Sequence, residues 1–139
     1  MEELQECTPT RLETLLTNYE ALVGDAGELA ADWADMDQQE QIHHRSLSMQ
    51  VWGMRRTLGA LYRAERLTFD QVEKLADLDR ALLEEAVSVE TCYGPSLREL
   101  VTSLLDWGTP LADGEGTVKL EVPLRALPTL VEALTSEAK

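Results

Sequence analysis

The sequence predicts a mainly α-helical fold: a five- to six-helix, bundle-like domain with one short C-terminal β-strand or hairpin. Three observations support this prediction. Apolar residues recur at the i, i+3, i+4, i+7 spacing of amphipathic helices along most of the chain. Helix-start patterns, in which Ser, Thr or Asp precedes Glu or Gln by three residues, divide these stretches. Near the C-terminus, apolar and charged residues instead alternate as in a half-buried strand.

These patterns place every element within a single domain that spans residues 1–139. The predicted elements are acidic helices over about 9–36, a basic helix over about 38–66, helices over about 69–92 and 96–107, a strand over about 117–122 and a C-terminal helix over about 128–137.

The boundaries in the first half come from local start and stop signals. A capping-box pattern of Thr10 and Glu13 opens the first helix, and the run Gly24–Gly27 predicts its end. Asp37 then predicts the start of the basic helix. A continuous helix over 28–66 is the alternative.

Similar signals set the boundaries of the second half. Thr68 and Ser96 each begin a capping box, whereas the pair Gly94-Pro95 and the glycine at position 108 predict helix ends. The alternation from Val118 to Val122 predicts the strand.

Charge is unevenly distributed in a chain whose net charge is −14. Residues 1–40 hold eleven acids and one base, whereas residues 41–66 hold five arginines and a single acid, Glu65. The acidic balance disfavours binding to nucleic-acid phosphates and anionic lipid. It favours a cationic protein partner, or a dimer that covers the basic helix.

The chain start and hydropathy predict a cytoplasmic protein with no membrane segment. Met1–Leu4 is acidic where a signal peptide would be basic, and no apolar run approaches the ~20 residues of a membrane span. Cys7 and Cys92 are too few and too distant for a zinc motif, so free thiols are expected.

A basic strip on the helix predicted over 38–66 is the main candidate binding surface. Arg45, Arg56 and Arg63 lie within about 20° of one another around the helix axis, with Trp52 beside them. Three interpretations stand: an interface with a protein partner or a second copy anchored by Trp52, binding of RNA or another polyanion, or an internal contact with acids of the first helices. Those acids are Glu13, Glu20, Glu28 and Asp32.

Asp79 is the candidate buried polar residue, because it falls within an otherwise apolar stripe. An unpaired ion there would cost several kcal/mol. The helix therefore bends or ends near Leu78, or Asp79 has a partner, for which His43, Arg55 and Arg80 are the candidates by type. A structural ion pair is favoured over a catalytic carboxylate.

Glu40 and His43 form the one candidate metal-ligand pair. Their i, i+3 spacing is the one that helical bundles use for di-iron or di-manganese carboxylate sites. A complete site needs a second such pair, and the chain has only His43 and His44. No catalytic triad or phosphate-binding loop is present, and no cofactor is predicted.

The segment from Thr68 to Val122 resembles winged-helix domains in its order of helix, helix and Gly-rich hairpin. The resemblance covers about 40% of the chain and implies a nucleic-acid-binding or regulatory role. The helix in the recognition position departs from the pattern: its single base, Arg98, is offset by Glu99 and Asp106. A DNA reader needs cations facing phosphate, so nucleic acid is not expected as a partner.

The leading functional hypothesis is a non-catalytic protein-interaction or regulatory module, expected to be a homodimer, that uses the basic Arg/Trp helix face. A helical-bundle metalloprotein and a winged-helix-like protein are the alternatives.

Overall fold

The structure, a computed structural model, describes residues 9–112, and this part of the chain forms five α-helices and no strand. The helices are α1 Pro9–Asp32, α2 Gln38–Arg63, α3 Phe69–Glu84, α4 Ala86–Tyr93 and α5 Leu97–Trp107. A 3₁₀ turn at Trp33–Asp35 links α1 to α2. The mainly helical class is confirmed. The strand predicted over 117–122 and the helix predicted over 128–137 lie outside the described residues.

Three helices begin at residues that the sequence marks as N-caps. The Asp37 carboxylate accepts a hydrogen bond from the amide of Glu40 at the start of α2. Full capping boxes, in which side chain and backbone bond reciprocally, open α3 at Thr68 and α5 at Ser96. Each cap satisfies backbone N–H groups that lack a partner in the first helical turn.

The predicted end of the first helix at Gly24–Gly27 is wrong, because α1 continues to Asp32. Tertiary contacts hold this stretch helical. Ala26 is fully buried, and its carbonyl oxygen accepts a hydrogen bond from the Cys92 thiol. The Tyr93 hydroxyl likewise donates to the carbonyl of Leu22, at 2.9 Å. Packing against α4 therefore outweighs the roughly 1 kcal/mol helix penalty of each glycine.

The single helix predicted over 69–92 is also wrong, because the chain bends at Glu85 between α3 and α4. Glu85 has φ −96° and ψ 21°, outside the helical range of its neighbours. No glycine or proline marks this position in the sequence. The bend separates α3, which carries Asp79, from α4, whose Cys92 and Tyr93 bond to α1.

The core lies around α1, whose buried stripe contacts α2, α3 and α4. Helix α2 enters this core through its C-terminal half, where Leu58 and Leu61 are almost fully buried. Its N-terminal half is much less covered, and Leu47 is 43% exposed. The basic helix therefore has one half in the core and the other half largely facing outward.

Candidate protein-interaction face and buried charge network

A row of residues on α2 faces away from the core along most of the helix. Its large members recur every seven residues: Ile42 is 56% exposed, Met49 is 73% exposed, and Arg56 is exposed. Small residues lie between them at the same spacing. We call the six residues the outer row of α2: Ile42, Ser46, Met49, Gly53, Arg56 and Ala60.

The predicted basic strip forms one side of this outer row. The Arg45 guanidinium lies over the Trp33 ring, 5.3 Å from its centroid, a distance at which a cation and an aromatic ring attract. Arg63 donates from Nη2 to the carbonyl oxygen of Leu105 at 2.8 Å. Within residues 9–112, Arg56 has neither a hydrogen bond nor a salt bridge. The structure thus holds two arginines of the strip by contacts within the chain and leaves the third facing outward.

Trp52 connects the strip to α5. Its ring lies 6.4 Å from that of Trp107, tilted by 34°, and it forms one wall of an apolar groove of about 170 Å³. Two turns further along α2, a side chain at Gly59 would collide with the carbonyl group of Trp107. Helices α2 and α5 therefore pack closely at the C-terminal half of the strip. The other groove residues are Leu82, Pro95, Leu100, Ser103 and Leu104.

The acids expected beside the strip point elsewhere. Glu20 forms a salt bridge with Lys74 on α3, at 3.2 Å, and Glu13 accepts a hydrogen bond from Gln71 on the same helix. Glu28 and Asp32 are exposed. No salt bridge between residues 9 and 112 joins the strip to an acid of α1, so the carboxylates of α1 do not neutralise the charge of Arg56.

Asp79 is fully buried, and its partner is Arg55 on α2. Oδ1 accepts hydrogen bonds from Arg55 Nε at 2.9 Å and from the Tyr19 hydroxyl at 2.6 Å. Oδ2 accepts from Arg55 Nη2 at 2.7 Å and from the Thr109 hydroxyl at 2.5 Å. Arg55 Nη2 also donates to the Gly108 carbonyl at 2.8 Å. The network joins α1, α2, α3 and the turn after α5.

The network acts as a structural crosslink. Burial raises the pKa of the Tyr19 hydroxyl well above its usual value, and the negative charge of Asp79 raises it further. Burial opposes the charge of Arg55, but Asp79 outweighs it, so the pKa of the guanidinium is also raised. Both groups therefore keep their protons at neutral pH. Arg55, Asp79 and Tyr19 are each 0% exposed, so the pair has no solvent-facing side at which a substrate could bind.

Glu40 and His43 are both exposed in the first turns of α2. The Glu40 amide bonds to the Asp37 cap, and the His43 ring lies edge-on to that of His44 at 5.7 Å. Among the described residues, no three His, Cys, Asp or Glu side chains converge in a way that would hold a metal ion. The structure therefore adds no further ligand to the predicted pair.

Among the described residues, the structure supports neither a reactive cysteine nor a winged-helix binding site. Cys92 is buried and free, and burial raises the pKa of its thiol, which opposes formation of the nucleophilic thiolate. Arg98 is exposed on α5 beside the acid Glu99. The residues of the wing, 113–122, lie outside the described part of the chain.

Sequence reasoning missed two features of these sites. It did not predict that Ile42 and Gly53 face outward. The seven-residue spacing of Ile42 from Met49, and of Gly53 from Ser46, could have indicated this position, because residues seven apart lie on nearly the same side of a helix. It also did not identify Tyr19 as a partner of Asp79, because the two are 60 residues apart. No local pattern reports such a contact.

Comparison with known proteins found no matching protein family, no matching curated protein and no matching solved structure.

Proposed function

We propose that this protein is a non-catalytic protein-interaction or regulatory module that acts as a homodimer. Its binding surface is the outer row of α2 together with the basic strip of Arg45, Trp52, Arg56 and Arg63. The single observation that carries the proposal is the outward exposure of two large apolar side chains, Ile42 and Met49, in line with Arg56, which has no hydrogen bond or salt bridge among the described residues.

Physical chemistry favours a protein partner for this face. Removing apolar area from water contributes roughly 25 cal/mol per Å², so covering Ile42 and Met49 stabilises a complex. Arginine can lay its apolar stem along such a surface while its guanidinium bonds to acceptors on the partner. Arg and Trp are also enriched among the residues that dominate binding energy at protein interfaces.

The test measures the mass of the full chain in solution by sedimentation equilibrium over a wide concentration range. We expect the wild type to form a dimer and Met49→Asp to be monomeric, because a carboxylate at that position would be buried without a partner. Val87→Asp is the matched control, since Val87 is 60% exposed on α4, a different helix. This control should remain a dimer.

Arg56→Ala tests the arginine of the same face, with Arg98→Ala as its matched control on α5. We expect the first to weaken association, because the apolar stem and the guanidinium of Arg56 no longer contact the partner, and the second to leave it unchanged. Circular dichroism should show the same helix content in all four variants. A wild type that stays monomeric at every concentration, or a dimer that Met49→Asp leaves intact, overturns the proposal.

A further inference from the structure

We infer that the second copy packs its α2 antiparallel against the first, about a two-fold axis that passes between Met49 and Gly53 of the two chains. This inference rests on the proposed function and specifies the partner and its register. It follows from the order of large and small residues in the outer row, from the distribution of charge along α2, and from the open space above Gly53.

Large and small residues alternate in the outer row, so two copies related by a two-fold axis place large residues on small ones only when the helices run in opposite directions. In the antiparallel arrangement, Met49 of one copy packs on Gly53 of the second copy. The same register places Ile42 on Ala60 of the second copy and Arg56 on its Ser46. Two-fold symmetry repeats each contact in reverse. Every large side chain of the outer row therefore meets a small one.

A parallel arrangement in register gives a poor fit for the same residues. Met49 would meet Met49 of the second copy, and Gly53 would face Gly53 across a gap. Small residues at an interface let helix backbones approach toward the lower end of the usual ~8–10 Å interaxial distance. Only the antiparallel register places them where a large side chain needs that room.

Charge also selects the antiparallel direction. Asp35 and Asp37 precede α2, and Glu40 lies in its first turn. Arg56 and Arg63 lie in the C-terminal half of the helix. In the proposed register, Arg63 lies opposite residue 39 of the second copy, at the level of that acidic end. A parallel pair in register would place each of Arg45, Arg56 and Arg63 beside its own copy, where like charges repel. The antiparallel register brings only Arg45 of the second copy close to Arg56, and the guanidinium of Arg45 is held over the Trp33 ring of its own chain.

This arrangement explains why a glycine occupies position 53. It lies mid-helix and exposed, where glycine disfavours the helix relative to alanine. Nothing lies within 4 Å of the position that a Cβ atom would occupy, so no contact within the described residues requires a glycine. A second helix seated on this position does require one.

Cysteine cross-linking tests the direction and register in the full chain with Cys7 replaced by serine. The variants are Ile42→Cys and Ala60→Cys, oxidised separately and as a mixture. We expect a disulfide-linked dimer only from the mixture. In the antiparallel register, two copies of residue 42 are 18 positions apart along the axis, about 27 Å. Cross-linking of either variant alone, or none in the mixture, overturns the inferred arrangement.

Gly53→Leu tests the close approach, and Gly24→Leu on α1 is its matched control, because a Cβ at either glycine meets nothing within 4 Å. We expect Gly53→Leu to raise the dimer dissociation constant at least tenfold and Gly24→Leu to leave it unchanged, with helix content retained in both. An unchanged constant for Gly53→Leu overturns the inference.

The two proposals fail in different ways. A wild-type dimer that Met49→Asp dissociates, but that cross-links through like cysteines, keeps the proposed interaction face and removes the antiparallel arrangement. A monomeric wild type removes both proposals.

Discussion

Replacing Asp79 with asparagine tests whether the buried charge network crosslinks the fold. The substitution keeps the size of the side chain and removes its negative charge. It also replaces an acceptor oxygen with an NH₂ group. Oδ1 accepts from Arg55 Nε and the Tyr19 hydroxyl, and Oδ2 accepts from Arg55 Nη2 and the Thr109 hydroxyl. In either orientation of the asparagine amide, its NH₂ group would therefore face an arginine N–H donor and a hydroxyl group.

The expected loss of stability is large. Removing one partner of a buried ion pair costs about 3–5 kcal/mol, because the other charge stays buried without compensation. We expect a loss of about this size for Asp79→Asn. Arg55 is fully buried, and its Nη1 already lacks a hydrogen-bond partner within the described part of the chain. The free energy of unfolding of a domain is typically about 5–15 kcal/mol. Asp79→Asn is therefore expected to remove about a fifth of it or more.

Urea denaturation followed by circular dichroism measures this loss, and Asp77→Asn on the same helix is the matched control. The Asp77 side chain is 75% exposed and pairs with Arg80 across one turn. Its loss should therefore change the free energy of unfolding by no more than about 0.5 kcal/mol. An additional Arg55→Met change in the Asp79→Asn protein should cost less than Arg55→Met alone, because the two residues share one interaction. If Asp79→Asn costs less than about 1 kcal/mol, the network does not hold the fold together.

Three further predictions follow from individual contacts. Gly59→Ala should destabilise the fold by about 1–3 kcal/mol in thermal denaturation, because its Cβ would collide with the α5 backbone. Gly53→Ala should instead stabilise the monomer by about 0.5–1 kcal/mol. Equal effects of the two substitutions would contradict the packing of α2 on α5. Because the pKa of Tyr19 is raised in the folded protein, its contribution to the free energy of unfolding is complete below pH ~10. Above that pH the unfolded chain loses the tyrosine proton first, and the free energy of unfolding falls by up to about 1.4 kcal/mol per pH unit. Tyr19→Phe should reduce this fall in denaturation measured across alkaline pH. A metal chelator should leave the melting temperature unchanged, and a drop would favour a metal role for Glu40 and His43.

The sequence by itself determined where several helices begin. The caps at Asp37, Thr68 and Ser96 are all present, because a cap is made between residues three positions apart and needs nothing from the rest of the chain. The sequence also showed that Asp79 lies on an apolar stripe and limited its partners to three candidates by type.

Only the tertiary structure decided how far the helices run and what their polar residues meet. Local propensity differs by about 1 kcal/mol per residue or less, apart from proline, so the buried contact of Ala26 with α4 carries α1 through its glycines. Conversely, α3 ends at Glu84, and no glycine or proline in the sequence predicts this end. The choice of Arg55 for Asp79 and the exposure of Met49 depend on how distant helices pack, and the spacing of residues within one helix does not contain that information.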